Sequence, residues 1–233
     1  MKSLKIIILA VLAIFAAACD GNDDIAEFEN EKPVEIVNGQ ENGVDYADLG
    51  LPSGTLWATC NVGATSPEQA GLYFAWGETV GYTAEQVENG ERSFDSSSYT
   101  ASAISDNLTL EQDAARANLG GNWQMPTMAD FWELFFYSNS RWTDDYNGTG
   151  VAGRVFTSKV NGNSVFLPAA GRCDDSSVDL VGSFGSYWSA SLFDTDEYSF
   201  TRAWYLYFYS GDKYPIVYYR YYGQPVRGVY KRR

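Results

Sequence analysis

The last fifty residues, Phe184 to Arg233, constrain this chain most: seventeen of them are aromatic and eleven are Tyr. Within them, Ala203-Trp204-Tyr205-Leu206-Tyr207-Phe208-Tyr209-Ser210 alternates two kinds of side chain. A strand sends successive side chains to opposite faces. Trp204, Leu206 and Phe208 are therefore expected on one face, as core, and Tyr205, Tyr207 and Tyr209 on the other. Tyr rings bury area at low rotamer cost and keep a hydroxyl at the tip. A second cluster follows at Tyr218-Tyr219-Arg220-Tyr221-Tyr222-Gly223. Buried hydroxyls must find partners, so folding alone has no need of so many, and the pattern reads as a binding face carried on strands. The alternative is that half of these rings are ordinary core, since strands favour aromatics in any case.

The start of the chain is of another kind. Lys2 and Lys5 precede an apolar run, Ile6 to Phe15, and Ala16-Ala17-Ala18 lead directly to Cys19. About ten apolar residues are too few to span a bilayer and suit a secretory signal. Small residues ending at Cys resemble a bacterial lipobox, which implies a leader over residues 1–18 and lipidation of Cys19. Removing that leader takes away two Lys and no acid, leaving 14 basic and 30 acidic residues, a net charge of −16. Phosphate binding needs a basic surface, so nucleic acid is not an expected partner. Residues 20–45 carry nine acids against one Lys, and 19–43 reads as the lipidated Cys and an acidic disordered tether before a domain, 44–233, that begins near Val44. After Cys19, only Cys60 and Cys173 remain, and export permits a disulfide between them without requiring it. His is absent, which removes the usual general base at neutral pH and the commonest metal ligand.

Between the two ends, Val44–Gly54 reads as a short strand and then a Pro-Ser-Gly turn, Thr55–Val62 as a second strand, Ala70–Gly77 as a third short element, and residues 80–105 as a long loop. Thr109 can cap a helix over Leu110 to Leu119, with Gln112 completing a capping box and Gly120 stopping it. Thr127 caps a second helix with Asp130 at its third position, and Phe131, Leu134 and Phe135 fall on one face. Gly153–Val160 and Ser164–Leu167 flank the hairpin signal Asn161-Gly162-Asn163, and Cys173–Gly185 reads as a polar loop. Strands, two short helices and strands again point to an α+β fold.

Several separated stretches then agree with one family. Asp48 to Ala64 (with Leu49-Gly50-Leu51-Pro52-Ser53-Gly54 and Trp57-Ala58-Thr59-Cys60-Asn61), Tyr73-Phe74-Ala75-Trp76-Gly77-Glu78 and Gly121-Asn122-Trp123-Gln124-Met125-Pro126-Thr127 are three of them. Phe166-Leu167-Pro168-Ala169-Ala170-Gly171, Tyr187-Trp188-Ser189-Ala190-Ser191 and Val226-Arg227 complete the set. Over nearly the whole mature length the chain resembles the Fibrobacter-type major paralogous domain of Bacteroidota lipoproteins. That resemblance implies a C-type-lectin-like fold, two short helices on small antiparallel sheets with long loops, related to the formylglycine-generating-enzyme module. It also implies an outer-membrane lipoprotein exposed at the cell surface and held to the membrane by the lipid on Cys19.

The C-terminal end is also similar to the variable proteins of diversity-generating retroelements, in which scaffold residues alternate with positions rewritten through adenine-directed mutagenesis. Here residues 187–229 would be the variable region. The expected ligand-binding residues are Phe193, Asp194, Asp196, Tyr198, Phe200, Tyr205, Tyr207, Tyr209, Asp212, Tyr214, Tyr218, Tyr219, Tyr221 and Tyr222. Whether that face is diversified or fixed stays open, and the ligand is a protein or a glycan. The alternatives are a subunit of an adhesive assembly, and an enzyme of the formylglycine-generating type. The enzyme would need reactive thiols in a cleft, whereas Cys60 lies in a strand pattern among apolar neighbours; no catalysis is expected. Asp144-Asp145, Asp174-Asp175, Asp179 and Asp194 to Glu197 offer carboxylates but lack the Glu-Pro-Asn and Trp-Asn-Asp patterns of calcium-dependent lectins, so neither metal nor cofactor is expected.

Overall fold

The computed structural model describes residues 37–101, 103–194 and 201–232; the expected leader, Cys19 and the expected tether up to residue 36 lie outside them. The first hairpin is set by Asn42-Gly43, whose φ values of 53° and 77° are the pair that a two-residue turn demands. It joins β1 (Gly39–Glu41) to β2 (Val44–Asp48), so the ordered sheet starts before the expected boundary at Val44. Next comes β3 (Thr55–Asn61), and the chain's last strand, β15 (Arg227–Lys231), lies between β3 and the short β5 (Trp123–Gln124). The two ends of the domain thus share one five-stranded sheet, in the order β1-β2-β3-β15-β5.

Three short helices accompany the sheets. α1 (Ala84–Glu88) interrupts the stretch expected to be loop, and its capping box, Thr83 with Gln86, is the local reason it forms. α2 is shorter than expected, Ala114–Leu119, with Asp113 rather than Thr109 as its cap. Gln112 does accept from the Thr109 N–H at 3.0 Å, but Leu110 is exposed and offers no apolar face to hold a longer helix. Asp113 instead accepts from Arg116 N and from Met125 N, which ties the helix to the segment behind it. α3 (Met128–Tyr137) has the expected capping box of Thr127 and Asp130, and buries Phe131 and Leu134. It leads straight into β6 (Ser138–Thr143), the first strand of a meander with β7 (Gly153–Ser158) and β8 (Ser164–Pro168), where Asn161 to Asn163 makes the turn.

The remaining strands are β4 (Tyr73–Phe74), paired with β14 (Gln224–Pro225), and a hairpin of β9 (Arg172–Asp174) and β10 (Ser177–Asp179) inside the expected polar loop. The aromatic end forms β11 (Gly185–Leu192), β12 (Arg202–Phe208) and β13 (Lys213–Tyr219). This sheet is covered on both faces. Tyr187, Leu206 and Phe208 enter one core with Trp57, Phe131 and Phe156. Trp188, Ala203 and Tyr205 enter a second with Phe74, Trp76, Met125, Tyr222 and Val226.

Polar links between distant motifs hold the two cores in register. The indole of Trp188 donates to the Phe74 carbonyl and that of Trp76 to the Ser189 carbonyl, each at 2.8 Å. Tyr187 donates to the Pro168 carbonyl at 2.8 Å, and Tyr73 to that of Ala170 at 2.7 Å. The buried Arg227 donates to Asn61 Oδ1 and to the Ala58 carbonyl, both at 3.0 Å. A buried guanidinium is costly unless its donors are used, and here they fasten the last strand to β3. The result is a predominantly β protein of the α+β class.

Candidate functional site

The aromatic sheet places the tyrosines through its register. Tyr207 stands opposite Tyr214, Tyr205 opposite Ile216, and Ala203 opposite Tyr218, and directly opposed residues in an antiparallel pair lie on the same face. Tyr205, Tyr207, Tyr214 and Tyr218 thereby share one face. The rings of Tyr207 and Tyr214 are 5.4 Å apart, and those of Tyr205 and Tyr218 are 6.2 Å apart. Tyr209 extends the row at 6.1 Å from Tyr207. Beyond β13 the chain turns back, and Tyr222 packs on Tyr218 at 4.6 Å. Tyr219 and Tyr221 stack at 5.4 Å, and Tyr221 and Tyr222 at 4.9 Å. Eight of the expected residues therefore form one contiguous network of rings.

Within the network the roles differ from those expected. Tyr205 is 5% exposed and Tyr222 is buried, so these two are its floor and belong to the second core. Tyr214 and Tyr219 are 40% and 36% exposed, and Tyr207, Tyr209, Tyr218 and Tyr221 are half-buried. Trp204, expected in the core, is half-exposed at the rim of a cleft of about 380 Å³ with Trp132, Met128 and Pro215. The reason is positional: the face bearing Tyr205 meets Trp188 and the Tyr222 segment, whereas Trp204 lies toward the end of its strand, where Phe193 covers it in part at 5.3 Å. Phe193 is thus grouped with Trp204 and not with the tyrosines. Asp194 and Asp212 are exposed, and Asp212 accepts from the Lys213 N–H at 2.7 Å. Asp196, Tyr198 and Phe200 lie outside the described residues.

Four contributors were not among the expected residues, the first being Arg202, which lies over the Tyr219 ring at 4.9 Å. Phe184 stacks on Tyr207 at 5.2 Å, Ile216 is an exposed neighbour of Tyr205 across the strands, and Arg172 of β9 lies over the rings of Tyr218 and Tyr222 at 4.6 and 4.9 Å. Phe184 precedes the alternating pattern. Arg172 precedes it by twelve further residues, and nothing local to it points toward the tyrosines.

Burial pushes the hydroxyls of Tyr205, Tyr207, Tyr221 and Tyr222 above their ordinary value. They are neutral phenols, able to donate and accept, throughout the physiological range. The turn joining β12 to β13 is clamped from below: the buried Arg154 donates to the Tyr209 carbonyl at 2.7 Å and to Ser140 Oγ at 3.0 Å. The bend after β13 is held by the buried Arg220, which donates to the Ile104 carbonyl at 2.7 Å and lies over the Trp76 ring. Both clamps lie behind the rings, so the face is a rigid display.

Cys60 and Cys173 are not joined by a disulfide, and burial pushes the Cys173 thiol well above the usual range, away from the thiolate that nucleophilic chemistry needs. Among the described residues, no group of three or more His, Cys, Asp or Glu is placed to hold a metal ion. Comparison of the chain with protein-family models, with curated proteins and with solved structures finds no match.

Proposed function

We propose that this is a lipid-anchored, cell-surface protein whose C-type-lectin-like domain binds a protein or glycan ligand through the tyrosine face of β12, β13 and the bend that follows. One observation carries the reading: eight tyrosines form a continuous ring network, six of them with accessible surface, on a sheet already supported by two cores and two buried arginines. Rings on such a support are anchors that lose little entropy on binding, as in an antibody paratope. The leader and the Cys19 context supply the membrane anchor, and no catalytic step is assigned. Replacing Tyr207, Tyr214 and Tyr219 together by Ala should leave the melting temperature within a few degrees of the wild type. It should also abolish capture of whatever a panel of glycans and surface proteins shows the wild type to bind. A triple variant that binds as the wild type does refutes the assignment. The gene's flanking DNA separates a diversified face from a fixed one, through the presence or absence of a near-copy of the codons for residues 187–229 beside a reverse transcriptase.

A second reading, a subunit of a larger assembly, draws on α3, where Trp132 and Phe136 are 46% and 68% exposed. Sedimentation of the purified protein as a monomer at high concentration speaks against self-assembly through that helix.

A further inference from the structure

The tyrosine face has a cation at its centre. Arg172 arrives from β9, outside the aromatic sheet, and lies over Tyr218 and Tyr222. Its charge also reaches the hydroxyls of Tyr205 and Tyr207, where it opposes the upward push of burial. Two rings therefore pack against the guanidinium, and two more hydroxyls lie within reach of its charge. A guanidinium carries five N–H donors, and the buried Arg154 and Arg227 each place at least two of theirs on protein oxygens, Arg154 on the Tyr209 carbonyl and Ser140 Oγ and Arg227 on Asn61 Oδ1 and the Ala58 carbonyl. Arg172 is different. No hydrogen bond or ion pair joins its guanidinium to another described residue, although Asp179 stands opposite it across the β9–β10 hairpin. The stacked rings hold the group in place and leave its donor edge unused.

Resting on the reading of this face as a binding site, we infer that its ligand is an acidic saccharide, whose ring lies against the tyrosines and whose carboxylate is taken by Arg172. A planar carboxylate matches the guanidinium fork and forms charge-assisted hydrogen bonds. Neutral phenol hydroxyls around Arg172, with Arg202 already engaged by the Tyr219 ring and hydroxyl, suit a hydroxyl-rich ring carrying one charge. A polyanion is disfavoured, because 30 acidic residues against 16 basic ones repel it. Arg172 also lies outside residues 187–229. If those positions vary between cells, the anion contact is the constant part of the site and only its surroundings change.

The test uses neutral oligosaccharides ending in a single uronic acid and the same oligosaccharides with that carboxyl reduced to an alcohol, titrated calorimetrically at low salt. The wild type should bind the acidic form at least tenfold more tightly. Arg172→Met, which keeps the apolar stem over the rings, should erase that preference, and Arg172→Lys should keep part of it. Equal affinity for both forms, binding of neither, or a preference unchanged in Arg172→Met overturns the inference. An Asp- and Glu-rich peptide is the third arm; if it alone binds in an Arg172-dependent way, the saccharide assignment falls. Tyr207→Ala separates the two levels of the argument. If a neutral ligand binds and is lost in Tyr207→Ala, the face stands and the acidic ligand fails. If Tyr207→Ala leaves all binding intact, the reading of the face itself fails.

Discussion

Tyr205 and Tyr207 are two residues apart, have the same side chain and point to the same side of β12, yet they should respond very differently to truncation. Tyr205 is 5% exposed, edge-on to Trp188 at 5.9 Å and part of the second core. Replacing a buried aromatic by Ala costs about 3–5 kcal/mol, from lost transfer energy and the cavity left behind. For a chain of this size 1 kcal/mol shifts the melting temperature by about 2–4 °C, so Tyr205→Ala should lower it by about 6–20 °C. Tyr207 is half-buried, its ring flanked by Phe184 and Tyr214, which can close over the gap or hydrate. Its truncation should cost about 1 kcal/mol, within the ordinary range for substitutions outside a core. Urea denaturation followed by Trp fluorescence reads both, because Trp188 and Trp76 lie in the same cluster as Tyr205. Midpoint shifts of equal size for the two variants refute the division of the row into floor and face. So does a Tyr205→Ala protein of wild-type stability.

Two further outcomes follow from buried charged groups. Burial pushes the Asp113 carboxyl up to about 6, against an unfolded value of about 3.9, although three backbone N–H groups oppose the shift. The folded state then holds the proton over a window where the unfolded state has lost it. Stability from this group is complete below about pH 4 and is lost as pH rises through 6, by an amount on the order of 2–3 kcal/mol. Asp113→Asn, which can still cap α2, should remove that slope from a plot of urea midpoint against pH; an unchanged slope counts against the assignment. Arg154→Met keeps the stem but releases the Tyr209 carbonyl, and should cost about 1–3 kcal/mol. Hydrogen exchange should rise at the amides of Tyr209 to Asp212 before it rises in β7; uniform acceleration across the protein would show that Arg154 does not act locally on this turn.

How much of this was legible in the residues depends on the range of the forces involved. Local devices could be read directly. The α3 capping box closes within four residues, the turn at Asn161 to Asn163 depends on its own backbone, and the alternation along β12 follows from the pleat. The missed devices of the same kind, Asn42-Gly43 and Thr83 with Gln86, were also present in the sequence and were obscured by an acidic stretch and a loop-like composition. The shortened α2 is a different case. Its start was decided by Met125 reaching the Asp113 carboxylate across twelve residues, and by Leu110 finding nothing to pack on.

Alternation states that a strand has two different faces, and it is silent on which of them another part of the chain will cover. For β12 the answer came from long-range partners: Leu206 and Phe208 met α3 and β7, while Tyr205 met Trp76, Trp188 and the segment returning through Tyr222 to Val226. Trp204, near the strand's end, was left at a rim. The sequence by itself determined that this end of the chain would be aromatic strands with tyrosines on one side. The tertiary structure alone decided which tyrosines became floor and which became surface, and it brought Arg172 from a distant hairpin into their midst. Burial and desolvation are properties of the assembled chain, set by contacts between residues that no local pattern brings together.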